Sequence, residues 1–579
     1  TGNGSAGIFV RGGGSSGGQH NRLFGNAIGL SDYFALGCAG GEGNRVGILV
    51  GAGAIATNLS GNIVGCSAQD GISIDGSDGA PVDTVLDSNA VGVNLAPAAV
   101  ANGWAGVSVL AGALRTTLDH NRLSGNVQQG VFVTGAATGQ ITLTANIIGL
   151  NPLGTFSVPN GQEGIRVVGL PSAAMTVDRN TVSGNAGSGI SLDSSADITV
   201  ANNFIGVDGL GATAWPNGGD GVALTGGANH NLIGGTQAAA KNIISGNLGS
   251  GVLLDGAATT LNQVSGNYIG LNQAGLAAIP NAFAGVQFDH GAHHNLLGSL
   301  SLITQRNVVS GNTQDGVSFL NGAHDNQVDG NYIGLDQSGT RALGNGQAGV
   351  SIVSSPANII GDSAAVPGQY ISGNATTGVY VAGSSDTTIG LSNLIGQGLY
   401  ANRLLGNSGH GIWLKGSNNS RVDVWWISYS DGAGVAVTGA ATGNSIIVHY
   451  NFGNGGLPID LGDDGPTPND PGDGDSGPNN LLNYPLITGQ VGTTATGSAC
   501  ANCTVHVYRA VGNPAAPGGG GVLLNSTVAN GAGIWSISGL PAGLSRFELS
   551  ATACAGSCIA GNTSEMSPRW ALSLPLVLR

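Results

Sequence analysis

The sequence predicts an all-β solenoid, and the main observation behind this prediction is a repeat that returns fifteen times along the 579-residue chain. Each copy is a glycine, a valine or isoleucine, a variable residue and another apolar residue. Apolar residues at every second position follow the period of a β-strand, and none of these segments keeps the apolar spacing of a helix. One such unit cannot bury its apolar face alone, so successive units are expected to stack as coils. The copies begin at Gly7, Gly47, Gly71, Gly106, Gly130, Gly164, Gly189, Gly221, Gly251, Gly285, Gly316, Gly349, Gly378, Gly411 and Gly434.

Short and long coils carry two different templates between these glycines. Short coils contain Asn-x-apolar-Ser-Gly-Asn, as at residues 121–126, whereas long coils contain Ile-Gly-Leu-Asn and an insertion of constant length before the next asparagine, as at residues 148–160. Asparagine and glycine suit the corners between strands because both tolerate left-handed backbone. Asparagines at the same corner of successive coils are expected to form a hydrogen-bonded ladder.

Composition excludes several classes of protein. Only 8% of residues are charged and the formal net charge is −15, which argues against binding nucleic acid through its phosphates. The 105 glycines follow no strict triplet, so the chain is not collagen, and the regular apolar positions argue against disorder. No apolar run is long enough to span a bilayer.

The two coil templates resemble the right-handed parallel β-helix repeats of bacterial secreted and cell-surface proteins, within the pectate-lyase-like superfamily. The resemblance covers residues 1–456 and implies about fifteen coils. It is specific for the fold and not for the function, because that fold carries lyases, hydrolases, epimerases, adhesins and purely structural proteins.

The composition changes after the last coil. Residues 457–485 form an Asp-, Gly- and Pro-rich linker without Lys or Arg, and oxygen-rich loops of this kind suit calcium, although a solvated acidic linker is the alternative. Residues 486–579 contain short strands, including 504–508, 522–527, 534–537 and 547–553, which predict a small Ig-like β-sandwich. An alternating segment at residues 570–578 is expected to be a tail strand of that sandwich, or a strand added to a neighbouring subunit. The candidate calcium ligands are Asp460, Asp463, Asp464, Asp470, Asp473 and Asp475.

The cysteines favour export. Four of the six read Cys-x2-Cys and Cys-x3-Cys, which would also fit zinc, but disulfides are the preferred interpretation for an extracellular or cell-surface protein. Their connectivity does not follow from spacing. The candidate disulfide residues are Cys38, Cys66, Cys500, Cys503, Cys554 and Cys558.

A search for an active site uses the residue four places after each repeat glycine, because these residues should stack in one column. Asp255 and Asp289 fall on consecutive coils and Asp193 lies earlier in the column. Paired carboxylates suit glycoside hydrolysis or a calcium-assisted lyase, while the alternative is that these are ordinary turn residues. Trp425 and Trp426 are candidates for stacking on sugar rings.

These observations favour an exported structural or adhesive cell-surface protein without an assigned catalytic site. It would be a subunit of a filament or sheath, because open ends of a β-helix expose strand edges that invite end-to-end self-association. Its other expected partners are cell-surface components or polysaccharide. The alternative is a carbohydrate-active enzyme that uses Asp193, Asp255 and Asp289.

Overall fold

The computed structural model describes residues 4–12, 20–31, 38, 43–172, 174–235, 240–300, 305–362, 368–399, 405–517, 519–555 and 561–568. Two compact units divide the chain, Thr1–Gln314 and Asp315–Arg579. Within the described residues the regular structure is β-strand and short 3-10 turns, with no α-helix. The all-β right-handed parallel β-helix predicted from the repeat is confirmed.

Each coil of the first unit contributes one strand to each of three parallel sheets. The first sheet holds the strands that follow the repeat glycines: Ala6–Arg11, Val46–Gly51, Ile72–Asp75, Val107–Leu110, Val131–Thr134, Ile165–Val168, Ile190–Asp193, Val222–Thr225, Val252–Asp255 and Val286–Asp289. The second sheet holds Arg22–Phe24, Asn58–Ser60, Val85–Asp87, Thr117–Asp119, Thr142–Thr144, Met175–Asp178, Ile198–Ala201, Leu232–Gly234, Gln263–Ser265 and Leu296–Gly298. The third sheet holds Ala27–Ile28, Ile63–Val64, Ala90–Val91, Arg122–Leu123, Ile147–Ile148, Thr181–Val182, Phe204–Ile205, Ile243–Ile244, Tyr268–Ile269 and Val308–Val309.

The second unit is built from strands in the same pattern and also contains longer strands. Its first-sheet strands are Val317–Phe319, Val350–Val353, Val379–Ala382, Ile412–Lys415, Val435–Thr438 and Ile459–Leu461. Its second-sheet strands are Gln327–Asp329, Ile359–Ile360 and Thr388–Ile389, and its third-sheet strands are Tyr332–Ile333, Gln369–Ile371 and Asn393–Ile395. Two strands run through both of these sheets, Arg421–Ser428 and Ser445–Phe452.

Alternation of side chains separates the core from the surface. In Ile190–Asp193, Ile190 and Leu192 are fully buried while Ser191 and Asp193 are half-buried on the outside. The neighbouring strand pairs in register, Ile190 with Val222 and Leu192 with Leu224, so buried apolar residues stack on buried apolar residues. This is the arrangement that the repeat predicts.

Asparagine ladders run along the corners of the first unit. Asn180 donates its side-chain amide to Asn203 Oδ1 at 3.0 Å, while Asn146 donates to Asn180 Oδ1 at 2.8 Å. The predicted hydrogen-bonded ladder is therefore present. One ladder contains Asn62, Asn89, Asn121, Asn146, Asn180, Asn203, Asn242, Asn267 and Asn307. A second contains Asn102, Asn126, Asn160, Asn185, Asn217, Asn247, Asn281 and Asn312.

The repeat glycine is required because neighbouring coils approach each other closely. A Cβ on Gly130 would lie 2.6 Å from the Ile148 side chain and 2.7 Å from the backbone oxygen of Gly164. Any larger residue would push the coils apart. The glycine thus marks the position where the first sheet begins in each coil.

The C-terminal part of the second unit contains two antiparallel sheets that share a core around Trp535, which is 1% exposed. One sheet holds Leu486–Val491, Thr494–Ser498 and Ile534–Ile537, and the other pairs Thr504–Val511 with Gly520–Val528 and Leu549–Cys554. The Ig-like assignment stays a prediction. The 3-10 turns are Pro478–Leu481 and Arg546–Glu548.

Two details differ from the bounds predicted from the sequence. The strand predicted at 547–553 begins at Leu549, because Ser545 and Glu548 form a capping box that holds Arg546–Glu548 in a 3-10 turn. The first sheet extends to Ile459–Leu461, inside the predicted linker, because Ile459 and Leu461 alternate inward although no repeat glycine precedes them. The predicted tail strand at 570–578 lies outside the described residues.

The C-terminal sheets contact the last coils of the second unit directly. Tyr450 and Asn451 pair antiparallel with Val522 and Gly521. The carboxylate of Glu565, which is 4% exposed, accepts hydrogen bonds from the backbone N–H of Leu461 at 3.0 Å and of Thr467 at 2.9 Å. These contacts attach the end of the chain to the β-helix.

Disulfides are present as predicted. Cys38 pairs with Cys66 and Cys500 pairs with Cys503, each with 5.4 Å between the Cα atoms. Cys554 is also disulfide-bonded, whereas Cys558 lies outside the described residues. Across the part of the chain that the structure describes, no helix has the length and apolar character needed to cross a membrane.

Candidate functional site

A cavity of about 470 Å³ opens on the outer face of the first sheet in the first unit. Residues of four successive coils line it, so it runs across the strands. Its apolar wall is formed by Trp104, Leu110, Phe132 and Val168, and its polar groups come from Asp70, Ser108, Gln128, Gln129 and Arg166.

The repeat explains why these side chains meet. Ser108, Phe132 and Arg166 occupy the same outward position of successive strands and pair in register. Asp70 and Gln129 immediately precede repeat glycines, so they lie just before the first residues of the strands. Parallel in-register stacking converts these distant sequence positions into one surface, with adjacent coils about 4.8 Å apart.

Asp70 is the buried carboxyl group of the cavity, with 7% of its surface exposed. Its Oδ2 accepts a hydrogen bond from Ser108 Oγ at 2.8 Å, and its Oδ1 accepts one from the backbone N–H of Ala105 at 3.1 Å. Burial raises the pKa of the Asp70 carboxyl above its ordinary value, and these hydrogen bonds oppose the shift. Asp70 is therefore a fixed acceptor in the cavity.

Arg166 lies between two carboxylates at the edge of the cavity. Its guanidinium contacts Glu163 Oε1 at 3.1 Å and lies 3.8 Å from Asp193 Oδ2. Glu163 also accepts a hydrogen bond from the side chain of Gln129 at 3.1 Å. Together these groups form a polar border beside the apolar wall.

Trp104 is the exposed aromatic side chain of the cavity, with 46% of its surface accessible. It lies two residues before the repeat glycine Gly106, and Phe283 holds the corresponding place before Gly285. An indole held at the rim of a polar cavity can stack on the apolar face of a sugar ring, while the polar groups accept and donate hydrogen bonds to hydroxyls.

The structure brings together two of the three carboxylates predicted from the column search. Asp255 and Asp289 are register partners, and His290 Nδ1 lies 2.7 Å from Asp255 Oδ1 and 3.4 Å from Asp289 Oδ1. Hydrogen bonding to Asp255 and the nearby charge of Asp289 raise the pKa of the His290 imidazole. Asp193 lies two coils away, separated from Asp255 by the coil of Thr225, and faces Arg166 instead.

Trp425 and Trp426 both have exposed surface, although adjacent strand residues normally face opposite sides. Arg421–Ser428 passes from the second sheet to the third, and Trp425 lies at this corner without a register partner. Trp425 stacks on His449 and Trp426 stacks on Tyr450, with ring centroids 5.4 and 4.7 Å apart. Their rings are thus already engaged with neighbouring side chains.

The six aspartates predicted to bind calcium fall into separate groups. Asp470, Asp473 and Asp475 each place one carboxylate oxygen within 4.8 Å of the others, which is an arrangement that could hold a cation. Asp460 lies in the first sheet, and Asp463 lies 3.4 Å from His410 Nε2. Asp464 is exposed. Calcium binding stays a prediction, with Asp470, Asp473 and Asp475 as the ligands that lie close enough together.

The residues of the cavity were not predicted, because the candidate acids all come from a single position of the repeat. The residues that precede the repeat glycines, such as Asp70 and Glu163, form a second outward row. Reading that row beside the strand residues would have placed Asp70, Glu163 and Arg166 on nearby coils. Trp104 lies at the corner before the strand, and the repeat pattern alone does not predict that its side chain is exposed there.

Comparison with known proteins agrees with the fold. Residues 42–233 and 101–282 match the family model of the right-handed β-helix region. Among curated proteins, no sequence matches this chain. Structural similarity to solved proteins is low, as the following three matches show.

The periplasmic alginate epimerase AlgG matches at 14% identity over 48% of this chain, with a TM-score of 0.29, and the match spans 58% of the epimerase chain. The A-module of a mannuronan C-5 epimerase from Azotobacter vinelandii matches at 12% identity over 70% of this chain and 84% of that chain, with a TM-score of 0.24. The Dettilon tailspike protein matches at 13% identity over 84% of this chain and 88% of that chain, with a TM-score of 0.32. Likeness of this degree extends no further than the fold.

Proposed function

The chain is a right-handed parallel β-helix, with the family match at residues 42–282, and from this premise we propose that it is an exported protein that binds polysaccharide. The binding site is the cavity on the first sheet of the first unit. An adhesive role at a cell surface follows if the glycan belongs to that surface, and a structural role follows if it belongs to an extracellular matrix.

The observation that carries this proposal is the cavity around Trp104. Its lining combines an exposed indole and other apolar side chains with fixed polar groups such as Asp70 and Gln129. A sugar ring has both apolar faces and hydroxyl edges, so it fits such a lining better than a purely apolar ligand would. Since the cavity crosses four coils, it suits an extended glycan lying across the strands.

Two further features support an exported, rigid protein. The disulfides Cys38–Cys66 and Cys500–Cys503 are typical of proteins that mature in oxidising compartments. The buried asparagine ladders connect successive coils by side-chain hydrogen bonds, and fully satisfied polar networks make a structure rigid. A rigid surface loses little conformational entropy when it binds a long ligand.

Catalysis on the bound glycan is a second candidate function, favoured by Asp255 and Asp289. These two carboxylates are register partners and share contact with His290, so they could act as an acid and a base. This cluster lies outside the lining of the cavity, so binding and cleavage are separable. Release of fragments from a bound glycan, which Asp255→Asn abolishes, would establish this activity.

The binding proposal is tested by replacing Trp104. We expect Trp104→Ala to weaken binding of a retained glycan by about tenfold, because the stacking surface for the sugar ring is lost. Binding is measured by calorimetry after a screen of soluble polysaccharides. Phe283→Ala is the matched control, since Phe283 has the same place in its coil and a similar exposure of 48%. Equal affinity of the wild type and the Trp104 variant for every retained glycan would contradict the proposal.

A further inference from the structure

The outer face of the first sheet in the first unit carries two rows of carboxylates. One row immediately precedes the repeat glycines and the other ends the strands. Both rows face the same side of the coils as the cavity. The first row contains Asp70, Glu163 and Asp220, and the second contains Asp75, Asp193, Asp255 and Asp289.

The positive charge of Arg166 at the cavity is already neutralised by neighbouring carboxylates. Arg166 contacts Glu163 at 3.1 Å and has Asp193 at 3.8 Å, so its charge is shared between two acidic partners. With Asp70 included, the charged groups in and around the cavity sum to a negative charge. Arg166 is the side chain that would bind the carboxylate of an acidic sugar, and here that carboxylate would have to displace Glu163 or Asp193.

We propose, building on the glycan-binding function above, that the ligand is a polysaccharide whose sugars carry free, protonated amino groups. Ammonium groups would be attracted by the carboxylates of both rows, whereas a polymer of uronic acids would be repelled by them. The preference is electrostatic, so salt weakens it.

The carboxylates of the two rows are distributed over six coils of the first unit, which fits a polymer better than a single sugar. Successive coils present outward positions about 4.8 Å apart, and a sugar residue in an extended chain advances by a similar length. Within one row the carboxylates lie one to four coils apart, so a glycan lying across the strands would place some of its amino groups, and not every one, beside a carboxylate. The contacts repeat along the chain, so longer oligomers gain affinity through additional weak ion pairs.

The test compares three oligosaccharides of equal length: glucosamine oligomers, their fully N-acetylated forms and galacturonate oligomers. We expect the wild-type protein at low salt to bind the free-amine oligomer about tenfold more tightly than the acetylated one, and the galacturonate oligomer least. High salt should reduce the preference. The amine preference should also grow with oligomer length.

Two variants separate this inference from general attraction to an acidic protein. Glu163→Gln combined with Asp193→Asn removes two charges beside Arg166, so it should reduce the preference for amines over uronates by about tenfold. Asp197→Asn is the control, because Asp197 is exposed at the corner after the first sheet and its left-handed backbone, φ 60°, suits asparagine. Circular dichroism checks that each variant keeps the fold.

The outcomes distinguish the two proposals. Binding that depends on Trp104 but favours the acetylated or the uronate oligomer would overturn the amino-sugar inference and leave the glycan-binding function standing. Binding of amines that is unchanged in Trp104→Ala would overturn the glycan-binding function. An equal loss of preference in Asp197→Asn would show attraction to net charge alone and would also overturn the inference.

Discussion

Glu565 shows how one buried carboxyl group can make the stability of this protein depend on pH. It accepts backbone hydrogen bonds from Leu461 and Thr467, so it attaches the C-terminal segment to the last coil. Burial raises the pKa of the Glu565 carboxyl to about 7, and the neighbouring charge of Asp460 adds to the shift. The folded state therefore keeps a proton at pH values where the unfolded chain has lost it.

The sign of the resulting pH dependence follows from this difference in protonation. A raised folded-state pKa gives stability that is present below the unfolded value, near 4.5, and lost as the pH rises towards 7. We expect the free energy of unfolding to fall by about 3 kcal/mol across this window. Glu565→Gln should flatten the dependence, because its side chain does not ionise.

Urea unfolding at pH 5 and pH 8 would measure the effect of Glu565. Asp431→Asn is the control, because Asp431 is an exposed acidic residue of the same unit. The same pH dependence in wild type and Glu565→Gln would refute the assignment to this carboxyl group.

At the scale of structural elements, the asparagine ladder adds side-chain hydrogen bonds between successive coils to the backbone pairing of the sheets. Asn180 is fully buried, donates to Asn203 Oδ1 and to the backbone oxygen of Leu143, and accepts from Asn146. Each side-chain amide therefore satisfies groups in the coil before and the coil after it. Buried groups of this kind are costly to leave unpaired.

Asn180→Ala is expected to destabilise the first unit by about 2–4 kcal/mol, because it leaves several buried donors and acceptors without partners. Thr176→Ala is the matched control, since Thr176 is a half-buried polar residue on the outer side of a strand in the same coil. Thermal and urea unfolding of the two variants would measure the difference. A similar small loss in both variants would mean that the ladder contributes little to stability.

For the whole molecule, the repeat allowed much of the architecture to be predicted from sequence. The repeat glycine and the alternating apolar residues specify the strands of the first sheet. They can be recognised in the sequence because each pattern spans only a few neighbouring residues. Side chains of the cavity come from coils that are distant in sequence, so their meeting depends on register as well as pattern. Two other features also could not be predicted from the repeat pattern. Trp425 lies at a corner between two sheets, and Ile459–Leu461 forms a first-sheet strand that no repeat glycine precedes.

The C-terminal sheets cover a strand edge of the second unit, and this arrangement can be tested. Gly520 allows the pairing of these strands, because a Cβ at this position would overlap the backbone oxygen of Asn451. Gly520→Val should therefore break the pairing between Gly520–Val528 and Ser445–Phe452 and expose the edge, which favours association between molecules. Sedimentation velocity should show new oligomers.

Gly531→Val is the control for Gly520→Val, because a Cβ on Gly531 would meet no neighbouring atom within 4 Å. A Gly520→Val protein that sediments as the wild type does would contradict the role given to this strand pairing.

The direction of the asparagine ladder also bears on how such a chain can change in length over evolution. Along the ladder, the side-chain amide of Asn146 donates to Asn180 in the following coil, and that of Asn180 donates to Asn203 in the next. A gene duplication that copies the residues between two equivalent asparagines adds one donor and one acceptor in matching places, and a deletion removes them together. The protein can thus gain or lose coils without leaving an unmatched amide, so its length is free to vary while its cross-section is kept.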